Sequence, residues 1–196
     1  SLAGVVKQMQ EALFRTGFST IIRESHDASC AVLTSKGDVA AQHIVLPLHL
    51  GVFPVSIKAV LESYSADNIR DGDAFLVNHP YIGGSPHAPD MCVIVPVFVD
   101  EKLAYFTASI AHKSDIGGSV PGSCSGKATD IYAEGIHFPP TRFVRDREIS
   151  PEIEALIRAN SRSAELVMGD IRGQLGCGWL GLDRIIELVC KYGRDT

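Results

Sequence analysis

The sequence predicts an α+β fold of antiparallel β-hairpins with a helical C-terminal third, and three observations carry that prediction. Residues 91–99 and 103–111 are apolar, β-prone runs joined by Asp100-Glu101-Lys102, a connection of hairpin length. Residues 28–33 and 39–43 make a second such pair around the turn-forming Ser35-Lys36-Gly37-Asp38. After Ser150-Pro151, an N-cap and first-turn pair, Glu152 and Glu154 sit where a helix dipole favours negative charge, and the rest of the chain reads as helix. Strands that come early and adjacent, with helices at the end, disfavour a parallel Rossmann-type sheet.

From the N-terminus, Leu2, Val5, Val6, Met9, Ala12 and Leu13 recur at helical spacing, and Gly17 follows, so the first helix ends near Thr16. The short hairpin comes next. Pro54 suits the first turn of a second helix running to about Tyr64, and Asp71-Gly72-Asp73 then turns the chain into a strand over 74–78. Loops rich in Gly, Pro and His lead to the long hairpin, in which Pro96 implies an edge or a bulge. Over 163–192 the small residues Gly169, Gly173, Cys177 and Gly181 recur every four positions, a face that another helix can approach closely. The same glycines weigh against a single unbroken helix.

With 196 residues, 45% hydrophobic and 21% charged, and no repeat or low-complexity tract, the composition is that of one globular domain, 1–196. A formal charge of -5 with unclustered Lys and Arg offers no field for a phosphate backbone, which excludes nucleic acid as an expected partner. The longest apolar run, 91–99, is far short of the ~20 residues a membrane helix needs, and no leader opens the chain, so no membrane is expected. Five cysteines lack C-x-x-C spacing, and Cys30, Cys92 and Cys190 lie in apolar stretches that read as core. A reducing, cytoplasmic setting fits them. The start at Ser1 and the end just after a helical pattern suit a piece of a longer chain.

A repeated H-x-x-D brackets the long hairpin: His87 with Asp90 before it, His112 with Asp115 after it. With the loop centred on Glu101, positions whose numbers sum to 202 pair, which sets Asp90 opposite His112 and His87 opposite Asp115. Opposed residues of an antiparallel ladder have Cα atoms about 4.5–5.5 Å apart, close enough for imidazole and carboxylate to share one divalent ion. Nitrogen and oxygen donors together suit Zn, Mn or Fe better than Ca or Mg. The same spacing also suits hydrogen-bonded His-Asp pairs in surface turns. Gly122-Ser123-Cys124-Ser125-Gly126-Lys127-Ala128 has the look of a nucleophile elbow or a phosphate loop and fits neither, lacking a preceding strand for the one and the right glycine spacing and hydroxyl for the other.

Several ordered blocks resemble the hydantoinase B/oxoprolinase family. Asn78-His79-Pro80-Tyr81-Ile82-Gly83-Gly84-Ser85-Pro86-His87-Ala88-Pro89-Asp90 is similar to its Asn-Asp-Pro-Tyr, Gly-Gly, His-x-Pro-Asp signature. Ala111-His112-Lys113-Ser114-Asp115-Ile116-Gly117-Gly118, Pro121-Gly122-Ser123 and Glu134-Gly135-Ile136-His137-Phe138-Pro139-Pro140 follow in the family's order. Asp27-Ala28-Ser29-Cys30-Ala31, Leu46-Pro47-Leu48-His49-Leu50-Gly51 and Gly169-Asp170-Ile171-Arg172-Gly173-Gln174 also resemble family segments. Two departures are His79, where the family commonly has Asp, and Pro86, which adds a residue before His87.

The resemblance implies the N-terminal portion of a subunit whose divalent transition metal is held by His87, Asp90 and His112. Asp115 would be a further ligand or a neighbouring carboxylate, and Asp115 or His79 would handle the proton. His79 is equally a substituted ligand or a loop histidine, and His49 either faces the same cavity or is a satisfied structural histidine. ATP would bind a hydantoinase A-like ATPase partner in a hetero-oligomer that itself forms a homo-oligomer, and hydantoin- or 5-oxoproline-type rings would be the substrates. The family's acetone and acetophenone carboxylases imply an alternative, carboxylation. A third reading, of another class, is a non-catalytic subunit-assembly module.

Overall fold

A computed structural model describes residues 1–193 of the chain. Helix α1, Leu2–Thr16, opens with Ser1 Oγ accepting the Gly4 N–H and closes with the Gly17 N–H bonded to the Leu13 carbonyl. The short α2, Thr20–Arg23, leads to β1, Ala28–Thr34, and β2, Val39–His43; then come α3, Val52–Ser63, β3, Ala74–Val77, and α4, Pro80–Gly83. The long hairpin is β4, Asp90–Val99, with β5, Lys102–His112; β6, Thr141–Arg145, β7, Glu148–Ile149, α5, Pro151–Asn160, and α6, Ala164–Tyr192, complete the chain. The strands make one antiparallel seven-stranded sheet in the order β2-β1-β5-β4-β3-β6-β7, so the fold is α+β as expected.

Both faces of the sheet centre are covered, which explains why β4 is apolar throughout rather than alternating. Cys92, Ile94, Phe106, Ala108 and Ile110 pack under Phe53, Ile57 and Val60 of α3. Met91, Val93, Val95 and Val97 face the other way, under Met9 and Leu13 of α1 and Met168, Ile171 and Leu182 of α6. The glycine-stepped face of α6 meets α1 and the residues that follow it within the same chain: a Cβ on Gly181 would lie 2.5 Å from Met9 Sδ, and one on Gly169 2.3 Å from the Phe18 ring. That close approach holds α6 as one helix of 29 residues despite its glycines. Cys30, Cys92 and Cys177 are buried free thiols. Cys190, expected in the core, is exposed, because only one stripe of the last turns of α6 is turned toward α1 and β5.

The β4–β5 ladder follows the expected register from Asp90↔His112 to Val97↔Tyr105. Its turn differs. Asp100 and Glu101 alone form it, with φ of 47° and 61°, a left-handed pair that matches strand twist. A bulge between Val97 and Phe98 absorbs the leftover residue of β5 and restores the register. Pro96 lies past the last pairing of β3 with β4, at Phe75↔Ile94, where β4 is locally an edge. Helix α3 begins at Val52, two residues before Pro54, and the sheet gains β6 and β7, whose runs are too short and mixed to read as strands. Among the described residues, no helix is long and apolar enough to cross a membrane.

Candidate metal centre

Three neighbouring strands bring their ends to one place. Asp90 opens β4, His112 closes β5 directly opposite it, and Asp27 immediately precedes β1, where its carbonyl accepts the His112 N–H. The loop before β4 adds His87, and the 3-10 turn Pro47–His49 after β2 adds His49. His87 Nε2 lies 3.1 Å from Asp90 Oδ1, His112 Nδ1 lies 3.2 Å from the same oxygen, and the two ring nitrogens are 3.2 Å apart. His49 is wholly buried, with Nδ1 2.9 Å from Ser29 Oγ and Nε2 3.6 Å from Asp90 Oδ2 and 3.8 Å from Asp27 Oδ1. Cys124 Sγ stands 3.9 Å from His112 Nε2, on the side of the ring away from Asp90.

Burial by itself pushes the Asp90 carboxyl up, but the imidazoles of His112, His49 and His87 outweigh it and hold the group far below the usual carboxylate range. Asp90 is therefore an anion. Asp27 shifts upward, through its own burial and then the charge of Asp90. His87 shifts upward chiefly through its bond to Asp90. Three mutually close nitrogen and oxygen atoms around an anionic carboxylate match a transition ion, whose bonds of about 2.0–2.2 Å place ligand atoms about 3–3.5 Å from one another. The loop that supplies His87 is clamped on both sides of its neighbour: Glu134 Oε2 accepts the Ala88 N–H, and buried Asn78 donates Nδ2 to the Ala88 carbonyl.

His87, Asp90 and His112 thus come together. Asp115 does not lie opposite His87, because the ladder starts at Asp90 and His87 is outside it. The Asp115 carboxylate instead accepts the N–H groups of Gly117 and Gly122 and pairs with Arg162 at 3.2 Å. Those donors outweigh its burial and lower its pKa. His79 caps α4, its Nδ1 accepting the Ile82 N–H, and its ring is 5.5 Å from that of His137. Lys113 points away from the cluster into the core, donating Nζ to the Ala111 carbonyl and Gln174 Oε1, and burial pushes its ammonium down to about 8. Asp27 escapes local pattern reading: its only signal is a family-like segment, since the β1–β5 pairing that delivers it joins distant parts of the chain.

A mixed sheet-and-helix scaffold that gathers three imidazoles and two carboxylates at the open end of its central hairpin is an α+β protein with a histidine-carboxylate centre. The model of the hydantoinase B/oxoprolinase family matches residues 1–196, and the chain belongs to that family. It is 36% identical over 200 residues to a putative D-/L-hydantoinase subunit of Pseudomonas sp. (strain NS671), covering all of this chain and 34% of that one. It superposes on the ATP-dependent caprolactamase from Pseudomonas jessenii with a TM-score of 0.86 at 30% identity, covering 99% of this chain and 34% of that one. A nucleotide-free acetone carboxylase shares the fold, with a TM-score of 0.91 at 20% identity over 99% of this chain and 26% of that one. The chain spans about a third of the length of the hydantoinase relative it matches, 34%.

Proposed function

We propose that these residues are the metal-holding N-terminal portion of a subunit that opens cyclic amides of the hydantoin or 5-oxoproline type, in a cytoplasmic complex with a hydantoinase A-like ATPase. One observation carries the reading: His87 Nε2, Asp90 Oδ1 and His112 Nδ1 lie within 3.2 Å of one another at the mouth of the sheet. The relatives support the substrate class, since one is named a hydantoinase subunit and a solved one is an ATP-dependent caprolactamase. The donor set fits a divalent ion of the Zn, Mn or Fe kind. Bound there, such an ion supplies an electrophile for a substrate oxygen and acidifies water.

The chain's own groups divide the remaining work. Asp90 carries the negative charge of the cluster and fixes both imidazoles by its Oδ1. Cys124 stands at His112 Nε2 and holds the ring's outer side, leaving Nδ1 directed inward. Accepting the Ile82 N–H at Nδ1 keeps the proton of neutral His79 on Nε2, so His79 offers a hydrogen-bond N–H to a carbonyl oxygen rather than a base. With both oxygens already engaged, Asp115 orders the loop that carries Cys124.

The test uses the full-length subunit with its ATPase partner, ATP and a hydantoin, 5-oxoproline or lactam. A ring-opened amino acid or ureido acid is the expected product, and His112→Ala abolishes it. Fixation of labelled bicarbonate into a ketone, without ring opening of any cyclic amide, would move the assignment to carboxylation. A complex whose turnover is unchanged by His112→Ala would leave this chain an assembly module.

A further inference from the structure

We infer that Gln174 of α6 and Gln10 of α1 are positioning residues: from inside the core they fix the strand ends on which Asp27, Asp90 and His112 are carried. The inference rests on the reading of those ends as the reactive centre and concerns what keeps their spacing constant. Ala28, Ala111 and Met91 make one row across β1, β5 and β4. That row lies a single residue inside the centre, since Asp27 precedes Ala28, Asp90 precedes Met91 and His112 follows Ala111.

All three carbonyls of the row are taken by buried side chains. Gln10 Nε2 donates to the Ala28 carbonyl at 3.1 Å, Lys113 Nζ to the Ala111 carbonyl at 3.1 Å, and Gln174 Nε2 to the Met91 carbonyl at 3.0 Å. Gln174 Nε2 also donates to the Ser109 carbonyl at 3.1 Å, so one amide spans β4 and β5. Lys113 Nζ donates to Gln174 Oε1 at 2.6 Å. An ammonium only donates, so it draws the oxygen of the amide toward itself and leaves the NH2 for the strands. Without Lys113 the two donor bonds of Gln174 would still stand.

Gln10 is 2% exposed and Gln174 0%, so both sit where apolar residues of the same volume would fill the space without the cost of burying polar groups. What the hydrogen bonds add is direction, because a bonded network inside a core rigidifies and specifies one arrangement. Strand termini fray unless something holds them. Hairpin pairing sets Asp90 opposite His112, and the 3.2 Å approach of His112 Nδ1 to Asp90 Oδ1 further requires that the two ends not splay. Gln174 supplies that restraint from α6, and Gln10 ties β1 to the same layer of helices.

The test uses the full-length subunit with its ATPase partner and compares Gln174→Met, which keeps the volume and removes the donors, with Gly178→Ala, which presses on Val95 deeper in β4 and touches none of the row. Melting temperature, affinity for Mn²⁺ by competition with a chelating indicator, and kcat and KM for ring opening are the readouts. Both variants should melt lower, but only Gln174→Met should weaken Mn²⁺ binding, by about 10-fold or more, and lower kcat. Gln10→Met, which loses a single bond, should shift both in the same direction by less, and it decides the matter if Gln174→Met does not fold. Unchanged affinity and kcat in folded Gln174→Met, or equal losses in Gly178→Ala, would overturn the inference. An unmodified subunit that opens rings without binding Mn²⁺ would defeat the metal reading alone, and kcat would then judge the glutamines. One that binds Mn²⁺ but opens no ring would defeat the proposed activity alone, and affinity would judge them. One that does neither would overturn both readings.

Discussion

His112 is where sheet and centre meet, since its backbone pairs with Asp90 across the hairpin and its ring closes the donor set. We expect His112→Ala in the full-length subunit to lose most bound transition metal while circular dichroism stays native, because the residue is at a strand end and outside the core. Lys113→Ala should keep the metal yet lower stability by about 1–3 kcal/mol in denaturant titration, by stranding buried Gln174 Oε1. Asp115→Asn should also cost about 1–3 kcal/mol at neutral pH, discounted for the half-exposed Arg162. The pKa of Asp115 is lowered on folding, so its stabilisation is complete above the ordinary carboxylate value and is lost as pH falls through the lowered one. The gap between wild type and Asp115→Asn should therefore close in acid; a gap that widens there would refute the assignment. At this scale Asp90 and His112 are legible in sequence, because a local hairpin sets them opposite. The engagement of Asp115 by Arg162 is not, since it joins a loop to the turn between α5 and α6.

Elements were legible wherever a local rule sufficed. Capping at Ser150, the periodicity of α1 and the long apolar pair of β4 and β5 all follow from neighbours in sequence. The strands β6 and β7 do not, for they are held by pairing with β3 at the sheet's far side and by a turn at Asp146-Arg147 whose φ values of 49° and 65° carry no glycine signal. On α6 the glycines divide by what they face. A Cβ on Gly178 would lie 2.8 Å from Val95 Cγ2, whereas one on Gly176 meets nothing within 4 Å. Gly178→Ala should destabilise by about 1–3 kcal/mol through overpacking, and Gly176→Ala should stabilise by about 0.5–1 kcal/mol through helix propensity. Thermal melts of the two variants check both signs.

Across the whole molecule, three layers bury the central strands on both faces and leave their ends as a place where charged groups gather from four segments of chain. None of those segments forms a phosphate cradle. Residues 122–128 lead only into the 3-10 turn Ile131–Glu134, and no helix of eight residues or more begins there to meet a nucleotide. The subunit without its ATPase partner should accordingly show no micromolar ATP binding by calorimetry, and such binding would contradict the division of labour proposed above. The antiparallel class of the fold was readable because hairpins are local, but the order in which they align, with β1 beside β5 rather than beside β4, is a product of tertiary packing.

That strand order sets a timetable for folding. Asp90 and His112 come opposite one another when the β4–β5 hairpin zips, an event of neighbouring residues, whereas His87 rides on the loop that Asn78 and Glu134 clamp. Asp27 and His49 arrive only when β1 docks on β5, after a long loop has closed, and non-local pairing of that kind is slow. On the metal reading proposed above, a refolding chain would pass through a stage with half a centre and a weaker hold on an ion. Metal added at the start of refolding should bias the chain toward the productive hairpin, and metal added late should meet a finished cavity.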